Sequence, residues 1–170
     1  MVSMFHLAQV NVARLAAPLD SQALAPFVAN LERVNALADA SPGFVWRLQT
    51  EDGDATAIRA FDDPDILVNM SVWESVEALG DFVYRSAHVG VMRRRAEFFV
   101  RADEAYVALW WVPAGTTPTV AYAIERLEST RVHGPTRFAF NFRKVFPPPD
   151  AGITEPRTDA RWNCPARRAE

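Results

Sequence analysis

Cysteine is almost missing from this chain. Of 170 residues only Cys164 carries a thiol, so no disulfide can form within the chain and no thiolate cluster can hold a metal. Histidine is nearly as scarce: His6, His88 and His133 stand far apart, and neither H-E-x-x-H nor a facial-triad spacing occurs. There is no glycine-rich phosphate loop and no G-x-S-x-G. Positive charge is in deficit, with 18 Lys and Arg against 21 Asp and Glu, and the net charge of −3 argues against a nucleic-acid partner. No apolar run reaches the roughly 18 residues of a membrane span. The opening MVSMFHLAQVNVARL lacks the basic and long apolar regions of a signal peptide. These absences predict a cytoplasmic protein that neither crosses a membrane nor binds nucleic acid.

What is present is the balance of an ordinary globular domain, 49% hydrophobic and 23% charged. The length suits one domain with a core of moderate size. Alternation of Ala8, Val10 and Val12 with Leu7, Gln9 and Asn11 predicts a first strand over 5–14. A helix capped by Asp20 or Ser21 is expected to run to about Ala40, with Leu24, Phe27, Leu31 and Val34 inward. A second strand is read over 44–50 and a short strand or arm over 57–61. Val68, Met70 and Val72, alternating with Asn69, Ser71 and Trp73, mark a third strand. Ser75 can cap the helix that follows, and His88 opens a further helical run with Val89, Met92, Ala96 and Phe99 inward. YVALWWV (106–112) reads as a buried strand, Thr119 as the cap of a helix to His133, and 138–146 as a last strand.

The domain is thus expected over 5–146, followed by an irregular tail over 147–170 that holds five of the twelve prolines, with Ile153 and Trp162 as its few apolar residues. The order β-α-β-β-α(α)-β-α-β is a split β-α-β arrangement with an added helix and strand, which predicts an α+β, ferredoxin-like fold: an antiparallel sheet with helices on one face. The other face then needs a cover, and a homodimer joined through its sheets is the economical one.

The chemistry-bearing residues gather on the first three strands and the helices after the third. His88 is the natural acid-base candidate, since the unperturbed pKa of an imidazole lies near neutrality. If the first three strands pair antiparallel, Gln9, Asn11, Arg47, Gln49, Asn69 and Ser71 share one polar face with Trp73, and buried amides need partners. Phe82 and Met92 flank that wall. Arg93, Arg94 and Arg95 form either a solvated flank or an anion site.

HLAQVNVARL, SPGFVWRLQ, VNMSVWES, YRSAH with MRRR, and LWWVPAG together resemble domain of unknown function 3291, over about Phe5 to Phe142. More widely, they are similar to the dimeric α/β-barrel superfamily of antibiotic-biosynthesis and haem-degrading monooxygenases. The resemblance implies two chains closing their sheets into a barrel, and a pocket between each sheet and its helices. It implies catalytic roles for His88 and Asn11, while the polar strand face and its flanks give Gln9, Arg47, Asn69, Ser71, Trp73, Phe82 and Met92 as the expected substrate contacts. Where haem-degrading relatives carry a tryptophan, this chain has Phe82. The implied activity is therefore monooxygenation of an aromatic, quinol or polyketide-type metabolite without a tightly bound cofactor. A non-catalytic barrel for haem or a hydrophobic metabolite is the alternative.

Overall fold

The computed structural model describes residues 4–152 and 155–158. Four strands form one sheet: β1 (Phe5–Arg14), β2 (Phe44–Arg47), β3 (Ile66–Trp73) and β4 (Val107–Pro113). Their order is β2-β3-β1-β4 and every pairing is antiparallel. With α1 (Ala25–Asp39) between β1 and β2, and α2 (Val76–Arg85) between β3 and β4, this is the ferredoxin-like arrangement. Short helices α3 (His88–Arg93) and α4 (Arg95–Phe98) follow α2, and α5 (Val120–His133) follows β4.

The pleat sends alternate residues of β1 to opposite faces. Leu7 sits opposite Trp73 and Trp111, and Gln9 opposite Ser71 and Leu109; this face meets α1 and α2 through Ala38, Val76 and Leu79. Ala8, Val10 and Val12 share the other face with Met70, Val72 and Trp110. That second face is covered within the chain. Ala123 and Leu127 of α5, with Ile58, Ala60 and Phe61, pack over it and leave Met70 and Trp110 at 0% exposure. The bare face from which a homodimer was argued is therefore not there.

Several sequence expectations are corrected. The first helix starts at Ala25, not beside Asp20 or Ser21: Leu24 is its N-cap with no side-chain cap, and the fully buried Leu24 side chain fixes the start by packing. Of the two readings for 57–61, a short strand or an arm, the arm is the one found, packed over the sheet. The run from His88 to Phe99 breaks at Arg94, so Ala96 is exposed and Phe98 takes the inward place. The expected strand over 138–146 shrinks to Phe140, which exchanges two backbone hydrogen bonds with Leu109, and to β5 (Lys144–Val145). The break is local chemistry: Asn141 Oδ1 accepts from the N–H of Arg143 and of Lys144 and turns the chain. Nor is the segment after Pro147 wholly irregular, because β6 (Arg157–Thr158) pairs with β5 and Arg157 bonds Glu77. Ile153, Trp162 and Cys164 lie outside the described residues. Thr119 and Ser75 cap their helices as expected, accepting from the N–H of Tyr122 and Ala78.

Candidate functional site

Between the sheet and the layer of α1, α2 and α3 lies a cavity of about 210 Å³. The nine residues expected to have catalytic or substrate-binding roles line it: Gln9, Asn11, Arg47, Asn69, Ser71, Trp73, Phe82, His88 and Met92. The strand pairing explains the first group, since Gln9 faces Ser71 and Asn11 faces Asn69 across β1 and β3. Gln49 does not join them, because β2 ends at Arg47.

The polar groups form a chain of hydrogen bonds. Gln9 Nε2 donates to Asn69 Oδ1 (3.0 Å) and Ser71 Oγ (3.1 Å). Trp73 Nε1 also donates to Ser71 Oγ (2.8 Å), and Asn11 Nδ2 reaches Gln9 Oε1 at 3.4 Å. Gln9 and Ser71 are buried while Asn69 is open to the cavity, so the strip grades from satisfied to available. Arg47 lines the cavity and also braces its frame. Its guanidinium donates to both Asp39 oxygens (2.7 and 3.2 Å) and to the Gly53 carbonyl (2.7 Å), which ties β2 to α1 and the following turn.

His88 reaches the cavity through aromatic packing. Trp73 stacks on Phe82 at 5.1 Å between ring centroids, and Phe82 lies 4.8 Å from the His88 ring. Burial pushes the imidazole below its ordinary pKa, with the Val83 carbonyl opposing that shift. Nδ1 stands 3.4 Å from that carbonyl. A carbonyl can only accept, so the contact assigns the proton to Nδ1 and leaves Nε2 as the basic nitrogen. His6 and His133 do not line the cavity.

Sequence reasoning missed the opposite wall. Phe27, Leu31 and Val34 of α1, with Phe99 and Arg95, complete the lining. The helical period did mark the α1 residues as inward, but it could not say that they face a void. Asp54 also lines the cavity, its Oδ1 accepting from Thr56 N–H (2.8 Å) and hydroxyl (2.6 Å).

Haem does not fit these residues. The cavity falls below the roughly 300–1,000 Å³ usual for drug-sized ligands, and Phe82 fills the space between Trp73 and His88. Among the described residues no three His, Cys, Asp or Glu side chains stand together as a metal site, and no helix is long and apolar enough to cross a membrane.

No curated protein matches the chain. Three solved structures resemble it, each over 68% of this chain. One is the NE2512 protein of unknown function from Nitrosomonas europaea (15% identity, 95% of that chain, TM-score 0.42). Another is PA3566 from Pseudomonas aeruginosa (13%, 99%, TM-score 0.44). The third is a variant of SnoaB, a cofactor-independent oxygenase from Streptomyces nogalater (15%, 97%, TM-score 0.42). Likenesses of this order carry no functional argument. The family match is of another kind: the family described as Domain of unknown function (DUF3291) covers residues 6–156, further than the resemblance seen in the sequence, and the chain belongs to that family.

Proposed function

We propose that the chain is a pocket enzyme of monooxygenase type acting on a hydroxylated aromatic metabolite of one or two rings. The observation that carries this reading is His88, a half-buried imidazole with a basic Nε2 in an otherwise aromatic and amide-lined cavity. The reaction class comes from the sequence's resemblance to antibiotic-biosynthesis monooxygenases. Nε2 takes the hydroxyl proton, Asn11 and Asn69 hold the oxygen, and Phe82 and Met92 hold the ring. The electron-rich anion then reacts with dioxygen: one oxygen atom becomes a ring carbonyl, and the other leaves as water with the two hydrogens lost from the substrate. No external reductant is needed.

1,5-Dihydroxynaphthalene tests this, with dioxygen uptake and quinone absorbance as readouts. His88→Ala is expected to lower turnover about 10²–10⁴-fold, the usual weight of general-base help, while its melting temperature stays within a few degrees. Unchanged turnover in that variant would remove the base from the mechanism.

A second reading, a barrel that binds without reacting, is favoured by the bonds among Gln9, Ser71 and Trp73, which satisfy one another with no ligand present. Binding of hydroxynaphthalenes without oxygen uptake would select it. The homodimer remains a proposal that rests on the family resemblance alone; light scattering at micromolar concentration should give twice the chain mass, and the mass of one chain would withdraw it.

A further inference from the structure

The cavity follows the strands, and its two ends differ. At one end are Trp73, Phe82 and His88. At the other, Phe27 meets Phe99 edge-on at 5.2 Å beside Leu67, whose partner across the sheet is Ala13. Leu67 and Trp73 are six residues apart on β3, roughly 20 Å of extended chain.

Arg95 belongs to the second end. Its guanidinium lies 5.2 Å from the Phe99 ring centre and 4.7 Å from that of Tyr106, and it lines the cavity. Among the described residues no carboxylate stands within ion-pairing distance of it. Arg94 holds Glu97 at 2.8 Å, and Asp54, the acid in the cavity wall, turns Oδ1 to Thr56. A guanidinium stacked on rings keeps its N–H edge free, and that planar fork matches a carboxylate. A half-buried cation beside apolar walls is costly without a counter-charge, so the site favours an occupant that brings one. His88 and Met92, one turn apart on α3, and Arg95, which opens α4 after the break at Arg94, all line the cavity.

We propose that the occupant is an elongated hydroxyaryl carboxylic acid, with its hydroxyl at His88, its rings along the Asn11–Asn69 strip and its carboxylate on Arg95. This rests on the pocket reading above and adds the anionic end to it. Two of the three consecutive arginines thereby part ways: Arg94 is held by Glu97, whereas Arg95 reads the ligand.

The test compares 6-hydroxy-2-naphthoate with 2-naphthol, which share rings and hydroxyl and differ in the carboxylate. Calorimetric titration of the full chain at pH 7 should show the acid binding at least about tenfold more tightly, as a charge-assisted bond implies. Arg95→Gln should bring that ratio close to one, chiefly by weakening the acid; Arg95→Lys should keep part of it. Should Arg95→Gln fail to fold, the ratio in the unaltered chain and in Arg95→Lys still decides. If 2-naphthol binds as tightly as the acid, or the preference survives Arg95→Gln, the anionic end is refuted while the pocket reading stands. If neither compound binds the unaltered chain, the pocket reading itself falls.

Discussion

Ser71→Ala tests whether the polar strip is a connected unit. Ser71 Oγ accepts from Trp73 Nε1 at 2.8 Å and from Gln9 Nε2 at 3.1 Å, and it is 7% exposed. Removing it does not orphan both donors equally. Gln9 Nε2 keeps Asn69 Oδ1 at 3.0 Å, whereas the indole N–H of Trp73, at 0% exposure, has no second acceptor among the described residues. One unsatisfied buried donor costs about 1–3 kcal/mol, and the indole sets the size of the effect. Urea denaturation should therefore show a loss of about 1–3 kcal/mol with an unchanged m-value. In a Trp73→Phe background the same substitution should cost about 1 kcal/mol less, because no indole N–H remains to strand. A loss below about 0.5 kcal/mol in the native background, or additive effects in the cycle, would show that Ser71 does not anchor Trp73.

Two further outcomes follow from the structure. Burial lowers the folded-state pKa of His88, so the unfolded chain binds its proton more readily. The contribution of the neutral ring is complete above about pH 6.5 and declines as pH falls toward the folded-state value. Urea midpoints at pH 7.5 and 5.5 should thus separate further in the native chain than in His88→Ala, and equal separations would refute the assignment. Gly43→Ala should destabilise by about 1–3 kcal/mol, since φ is +78° there and a Cβ would sit 2.6 Å from Ala78 Cβ; a melting temperature unchanged in calorimetry would contradict this.

The sheet was legible in the sequence because period-two alternation is a direct consequence of the pleat. Once 5–14 and 68–73 alternate, antiparallel pairing brings Gln9, Asn11, Asn69 and Ser71 onto one face, as the structure has them. The caps at Ser75 and Thr119 were legible for a similar reason, since each is a local hydrogen bond. What failed depended on contacts distant in sequence. The start of α1 is set by a buried leucine rather than a polar cap. Only tertiary packing shows that α5 covers the second sheet face, or that Arg47 is bound to Asp39 while Arg95 stays open to the cavity.

The alternation of β1 has a consequence for how the chain finds its fold. Each step along that strand changes compartment: Val10 and Val12 enter the apolar side beneath α5, while Gln9 and Asn11 enter the cavity side. A slip of β1 by a single residue would exchange the two sets, driving two side-chain amides in among Met70, Trp110 and Leu127, where their hydrogen-bond partners would be lost. The groups best suited to hold a ligand thus also act as a register lock. Replacing Gln9 and Asn11 together by leucine would remove the penalty on the slipped pairing while adding apolar surface to the cavity wall.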